Sequence, residues 1–162
     1  MNNQRFRISR IASPSMLLFG ALVSLGALMT VTPAQAGVAC HLINAKGVGQ
    51  DLGGGSTTAN VIGGGLLQGT IAGSLTITGV SGTVASFVET VTFTNQHGTL
   101  TVVVTGAIDV ITGQFNASGP VTTATGKLSG ATGNISFSGV ANFATAIFTE
   151  DITGVVCVDL AP

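Results

Sequence analysis

The chain has 162 residues, of which 45% are hydrophobic and only 7% are charged. All three arginines lie within the first ten residues, so the rest of the chain carries two lysines against six acids, a formal charge of −4. Nucleic-acid binding depends on cations that displace phosphate counterions, and two lysines are too few for such a footprint. This composition excludes a nucleic-acid partner and disfavours binding to an anionic membrane surface.

Residues 1–36 have the pattern of a cleavable signal peptide. The arginines are followed by an apolar run from Met16 to Met29 and then by the small-residue site Ala34-Gln35-Ala36. A positive start, an apolar run and an A-x-A site in this order are typical of secretory leaders. The run holds 14 residues, whereas a membrane-spanning helix needs roughly 20. We therefore expect cleavage between Ala36 and Gly37, export to the periplasm, the cell surface or the medium, and no membrane span in the mature chain.

Cleavage at this site would remove 36 of the 162 residues and leave 126, a length that suits a single domain. Cys40 and Cys157 are the only cysteines in the chain. An even number of cysteines in an exported protein favours a disulfide, with two free buried thiols as the alternative. The bond would join the two ends of the mature chain, and chain-entropy models assign roughly 4–5 kcal/mol to so long a loop.

After residue 36, apolar residues recur at every second position, and the spacing typical of helices is absent. Residues 37–69 are expected to form an N-terminal strand and a glycine-rich loop or flexible hairpin, because two glycine triplets flank a Ser/Thr stretch there. Residues 70–162 would form the main part of a single β-barrel domain. Strands are expected near 70–80, 84–94, 100–105, 107–111, 113–118, 121–128, 133–140, 142–152 and 154–159.

Glycines recur every six or seven residues, at positions 106, 113, 119, 126, 133 and 139. Short antiparallel strands joined by glycine turns would use this rhythm in a barrel or a sandwich, and a short β-solenoid would use it at its corners. The rhythm stops before Phe143, whereas solenoids repeat throughout. We predict an all-β fold, a small antiparallel closed β-barrel of about eight strands, with the solenoid and the sandwich as alternatives. Alternation assigns to buried faces Leu75, Ile77, Phe87, Val91, Phe93, Leu100, Val102, Val104, Phe115, Leu128, Ile135 and Phe137.

The segment 124–139 reads ATGKLSGATGNISFSG and follows the strand GQFNASG at 113–119. It resembles the hairpin of the dirigent and allene-oxide-cyclase barrel superfamily, whose bacterial members often carry a TG-basic-apolar-x-GATG turn followed by a strand. The resemblance extends over roughly residues 70–157. It implies an eight-stranded antiparallel barrel with a central cavity, in which members steer radical coupling or cyclise an oxidised lipid. The chain has no Tyr and no Trp, and the resemblance assigns no catalytic residue.

Two acids are candidates for a pocket. Glu89 shares a strand face with Phe87, Val91 and Phe93, and a carboxylate among apolar groups has a raised pKa that suits acid–base chemistry. The alternative, which we prefer, is that a β-bulge or a strand end turns Glu89 to water at the barrel mouth. Asp109 lies among apolar neighbours, and we interpret it as a charge that protects a strand edge.

No other pattern supports a catalytic or metal site. Glu150 and Asp151 are adjacent, so in a strand they point to opposite faces and cannot form the carboxylate pair of a glycosidase. His41 and His97 are isolated and lack the spacing of metal ligands. We therefore expect no bound metal and no cofactor.

These observations favour an exported, non-enzymatic barrel that binds a small apolar ligand or has a surface role. One alternative is a dirigent- or cyclase-like enzyme acting on a hydrophobic substrate, which a cavity lined by acids would favour. Another is a self-assembling structural protein that forms homo-oligomers, which long unpaired strand edges would favour.

Overall fold

The computed structural model describes residues 37–160, which form eight strands and two short 3₁₀ turns. The predicted signal peptide lies outside the described residues. The strands are β1 (Ala39–Gly53), β2 (Ser56–Gly63), β3 (Gly69–Ser81), β4 (Val84–Asn95), β5 (Gly98–Asp109), β6 (Gln114–Ala124), β7 (Thr132–Asn142) and β8 (Ile147–Val158). The first 3₁₀ turn (Gly65–Leu67) precedes β3, and the second (Gly126–Leu128) precedes β7. Within residues 37–160, no helix has the length and apolar character needed to cross a membrane.

Each strand pairs antiparallel with the next, and β8 pairs with β1, so the sheet closes into a barrel. Along each strand apolar side chains point inward, while the exposed positions between them are rich in threonine, serine and asparagine. Branched threonine suits these outer positions because its Cβ fits a pleated surface. The predicted all-β, eight-stranded, closed antiparallel barrel is confirmed.

Of the two predictions for the glycine-rich stretch before residue 70, a loop or a flexible hairpin, the structure shows a hairpin of regular strands. Both β1 and β2 are full members of the barrel, paired with each other and with β8 and β3. Gly54 and Gly55 form a two-residue turn between them, with φ of 64° and 81°. Tight hairpin turns need this left-handed backbone, which glycine adopts without steric cost. These glycines therefore shape a tight turn between two regular strands.

The glycine rhythm marks strand interiors as well as turns. Gly106, Gly119 and Gly139 lie inside β5, β6 and β7. A Cβ at Gly119 would overlap the carbonyl oxygen of Val103 on the neighbouring strand, and a Cβ at Gly139 would overlap that of Thr149. These glycines permit a close backbone approach. For this reason β5 and β6 are continuous where the sequence predicts breaks, and in β8 Gly154 has the same role, because its Cβ would overlap the carbonyl oxygen of Asn134.

One end of the barrel is filled, and we call it the plugged end. The β2–β3, β4–β5 and β6–β7 connections lie there together with both termini of the described chain. Leu67 and Leu128, from the two 3₁₀ turns, are fully buried between the strands. The predicted disulfide between Cys40 and Cys157 is confirmed; it joins β1 to β8 near this end.

Most of the residues assigned to buried faces are buried or packed against the core. The exception is Ile77, which is 48% exposed. The pairing of β2 with β3 ends at Ser56 and Ser74, so the last part of β3 projects beyond its neighbour. Ile77 lies on this projecting segment and has no strand beside it on that side.

Candidate functional site

The end of the barrel opposite the plug contains a cavity of about 160 Å³. We call it the open end; the β1–β2, β3–β4, β5–β6 and β7–β8 turns lie there. Five of the six phenylalanines in the described chain line the cavity. Its apolar lining consists of Ile71, Leu75, Phe87, Val91, Ile108, Phe115, Ala117, Phe137, Ala141, Phe143, Ala146, Ile147 and Phe148.

Two glutamates from strands far apart in the sequence line the same cavity. Glu89 on β4 lies on the inward face with Phe87 and Val91. Glu150 on β8 lies on the inward face with Phe148 and other apolar residues of that strand. Strand alternation therefore brings two carboxylates into an apolar interior. A cavity lined by acids is the feature that the sequence analysis associates with an enzyme.

Glu89 is half-buried and has one hydrogen-bond donor. The Thr57 hydroxyl donates to Glu89 Oε1 over 2.8 Å. Burial raises the pKa of Glu89, and the bond from Thr57 opposes this rise. The preferred interpretation, in which a bulge or a strand end turns Glu89 to water, is not what the structure shows. The pairing of β4 with β5 is unbroken from Val84 to Asn95, so alternation keeps Glu89 inside.

Glu150 is more deeply buried, with 9% of its surface exposed. Within residues 37–160 it has no hydrogen bond and no ion pair. Burial, together with the charge of Glu89, raises the pKa of Glu150 to about 7. The two lysines do not reach it: Lys46 points outward from β1 and pairs with Asp151, and Lys127 lies at the plugged end. In the described part of the chain, therefore, no cation neutralises the acids of this cavity.

Each of these carboxylates has room because the strand next to its own carries a glycine: Gly47 on β1 beside Glu150, and Gly73 on β3 beside Glu89. A Cβ at Gly47 would lie 2.5 Å from Glu150 Oε1, and a Cβ at Gly73 would overlap both Glu89 Oε1 and the Thr57 hydroxyl. Neither glycine has a left-handed backbone, so space rather than conformation explains them. Glycine in a strand interior usually costs stability or marks a close approach. Here the close approach is that of a buried acid.

Asp109, the other predicted pocket acid, lies outside this cavity at the end of β5. It accepts hydrogen bonds from the backbone N–H groups of Thr112 and Ile111 and from the Thr83 hydroxyl. The bond from Thr112, followed by those from Thr83 and Ile111, lowers the pKa of Asp109. Because β5 pairs with strands on both sides, there is no edge here to protect. Asp109 instead stabilises the β5–β6 turn.

Neither histidine belongs to the cavity: His41 lies on β1 near the plugged end, and His97 lies in the β4–β5 turn. No group of three or more His, Cys, Asp or Glu side chains within residues 37–160 could hold a metal ion. Glu150 is a site residue that was not predicted from the sequence, because next to Asp151 it was interpreted only as half of a carboxylate pair. Alternation of Glu150 with Phe148 and Ile152 is the signal that could have found it.

No family model, curated protein or solved structure matches this chain. The resemblance to dirigent and allene-oxide-cyclase barrels therefore stays a prediction. The barrel itself rests on the strand pairing of this chain.

Proposed function

We propose that the chain is an exported, non-enzymatic barrel that binds a small apolar ligand in the cavity at its open end. The observation that carries the proposal is the cavity itself, about 160 Å³ of space lined mainly by apolar and aromatic side chains. Apolar cavities of roughly 150 Å³ accept a molecule the size of benzene. A small aromatic molecule, or the apolar end of a longer one, would fit.

The disulfide supports the exported part of this proposal. Disulfides such as Cys40–Cys157 persist in oxidising compartments and are rare in the cytosol. The charge, apolar run and small-residue site at the N-terminus agree with this, because together they have the pattern of a secretory leader.

The two carboxylates support a second candidate, a dirigent- or cyclase-like enzyme acting on a hydrophobic substrate. A glutamate with a pKa of about 7 is suited to donate or accept a proton near neutral pH. Such catalysis also needs groups that stabilise developing charge. Apart from the two glutamates, the polar lining consists of Asp51, Thr57 and Asn142, and Thr57 already donates to Glu89. Ligand binding therefore explains the cavity better than catalysis does, because binding does not require groups that stabilise developing charge.

A self-assembling surface protein has less support from the fold. Closure of the ring pairs the strands on both sides along most of their length. The exception at the open end is the segment of β3 beyond Leu75. The N–H group of Leu75 donates to the carbonyl oxygen of Gly55, and the residues of β3 that follow do not pair with β2. This edge is short, and edge pairing needs a longer unpaired strand.

A ligand titration with a cavity-filling variant tests the proposed function. The mature chain, residues 37–162 with its disulfide intact, is titrated with toluene while the phenylalanine ring signals are followed by NMR. We expect saturable shifts at Phe87 and Phe137, which line the cavity. Ala117→Leu should abolish them, because Ala117 is buried in the lining, whereas Ala72→Leu on the exposed face of β3 should leave them unchanged.

Thermal melts of both variants show whether each is folded. Absence of saturable shifts in the wild type, or equal shifts in a folded Ala117→Leu variant, would overturn the ligand-binding proposal. Turnover of a hydrophobic substrate that Glu89→Gln or Glu150→Gln abolishes without loss of binding would favour the enzyme.

A further inference from the structure

Glu150 is a buried acid without a partner in the described chain. It is 9% exposed, lines the cavity and accepts no hydrogen bond from residues 37–160. An ionised carboxylate removed from water is costly unless a cation or hydrogen-bond donors compensate for the lost hydration. Among the described residues that line the cavity, Thr57 carries the one hydroxyl, and this hydroxyl donates to Glu89.

Among residues 37–160, every titratable side chain that lines the cavity is an acid. Glu150 is contributed by β8, Glu89 by β4 and Asp51 by β1, while the other strands contribute only apolar residues, Thr57 and Asn142 to the lining. Asp51 is exposed near the cavity entrance and bonds to the backbone N–H of Gly53. A positive charge in this cavity must therefore be supplied by the ligand.

The aromatic lining suits the same kind of ligand. Phe87 lies on the inward face of β4 with Glu89, and Phe148 lies on the inward face of β8 with Glu150. Phe137 lies on the inward face of β7, which pairs with β8. The faces of phenylalanine rings attract ammonium groups within about 6 Å, and the attraction grows when water is excluded. The acids and the aromatic rings together therefore favour an ammonium group carried on an apolar body.

We propose that the ligand is a small amphiphilic amine, whose ammonium group is held by Glu150 and Glu89 and whose apolar body lies among the phenylalanines. This inference rests on the proposed function and names its ligand class. Charge-assisted hydrogen bonds from an ammonium to carboxylates are the strong kind. Glu89 Oε1 keeps its bond from Thr57, and the ammonium supplies the donors that Glu150 lacks.

Three probes of nearly equal size and different charge test this inference: benzylamine, benzyl alcohol and benzoate. Calorimetry of the mature chain at about pH 8 should show benzylamine binding at least about tenfold more tightly than benzyl alcohol, because hydrogen bonds to charged groups are stronger than those between neutral groups. Benzoate should not bind. Benzylamine affinity should rise between about pH 6 and pH 8, because Glu150, with a pKa of about 7, becomes charged over this range.

Two neighbouring substitutions separate the cavity charge from the overall charge. Glu150→Gln should lower the affinity for benzylamine by about tenfold or more and leave the affinity for benzyl alcohol nearly unchanged. Asp151→Asn removes a charge from the outer face of the same strand and should change neither affinity. Glu89→Gln, at a half-buried position, gives a second reading if Glu150→Gln does not fold.

The outcomes distinguish the inference from the proposed function. Benzyl alcohol binding as tightly as benzylamine at about pH 8, or benzylamine affinity that falls between about pH 6 and pH 8, would overturn the amine inference and leave a cavity for neutral ligands. Benzylamine binding that Asp151→Asn weakens as much as Glu150→Gln does would also overturn it. Failure of all three probes together with toluene would overturn both proposals.

Discussion

Gly47 on β1 lies directly opposite Glu150 on β8, and the Glu150 carboxylate takes the space that a side chain at position 47 would fill. On the other side of the barrel, Gly73 on β3 pairs with Val91 of β4, and the Glu89 carboxylate, two residues along β4, takes the space that a side chain at position 73 would fill. In both cases the glycine belongs to an ordinary extended backbone, so it is present for its small size. The interior of the open end is therefore shaped around its two acids.

The first prediction tests this relationship with Gly47→Ala. The added Cβ would lie 2.5 Å from Glu150 Oε1, so either the glutamate or the strand must shift. Overpacking of this kind costs roughly 1–3 kcal/mol of unfolding free energy, which urea denaturation can measure. Gly79→Ala is the matched control, because nothing lies within 4 Å of its added Cβ and its backbone is not left-handed. Equal stability of the two variants would contradict the prediction.

The second prediction concerns the disulfide. Its removal by the double substitution Cys40→Ser and Cys157→Ser should lower the unfolding free energy by about 2–5 kcal/mol, since it closes a loop of 117 residues. The barrel itself should stay closed, because β1 and β8 pair along the length of both strands. We expect an unchanged far-UV circular dichroism spectrum and an earlier denaturation midpoint. Equal midpoints for the oxidised and reduced wild type would argue against this stabilising role.

The third prediction concerns processing of the chain. Ala34 and Ala36 have the small side chains that a signal peptidase accepts, so the exported protein should begin at Gly37. Intact-mass analysis of secreted material should give the mass of residues 37–162, less two hydrogens for the disulfide. A diacylglycerol adduct on Cys40 would contradict the prediction, since a lipidated Cys40 cannot pair with Cys157.

Alternation of apolar and polar residues was sufficient to predict the barrel but not the limits of its strands. Period-two patterning records which face of a strand is buried, so residues such as Phe93 and Val102 are assigned correctly. It does not record which strands are neighbours. Gly106 and Gly119 resemble turn residues in one dimension, and only the neighbouring backbone explains why they lie within strands.

The cavity was harder to predict than the fold because it depends on closure. The face of Glu89 followed from alternation, but its position inside the barrel depends on unbroken pairing with β5. Glu150 is far from Glu89 in sequence, and nothing local indicates that β8 and β4 line one interior. Ile77 shows the converse: its pattern is that of a buried residue, yet β3 projects past β2 at that point.

The last prediction is that the ligand-free protein loses stability as the pH rises from about 5 to 8. The pKa of Glu150 is about 7 in the folded chain, against an ordinary value of 4.5. A raised pKa means that the folded state holds the proton more tightly, so this stabilisation is complete below about pH 4.5 and is lost as the pH rises through 7. At roughly 1.4 kcal/mol per pH unit the loss amounts to about 3 kcal/mol. Glu89, whose pKa burial also raises, acts in the same direction.

Urea denaturation at about pH 5 and pH 8 measures this loss. Glu150→Gln cannot ionise, so it should show a flatter profile and exceed the wild type in stability at the higher pH. Asp151→Asn, on the outer face of β8, should keep the wild-type slope. Asp109 does not contribute to the difference between pH 5 and pH 8. Its pKa is lowered from 3.8, so its stabilising effect is complete above that value and is lost only in stronger acid. A wild-type protein that gains stability between pH 5 and pH 8 would show that Glu150 is charged and compensated in the empty barrel, contrary to its unpartnered position.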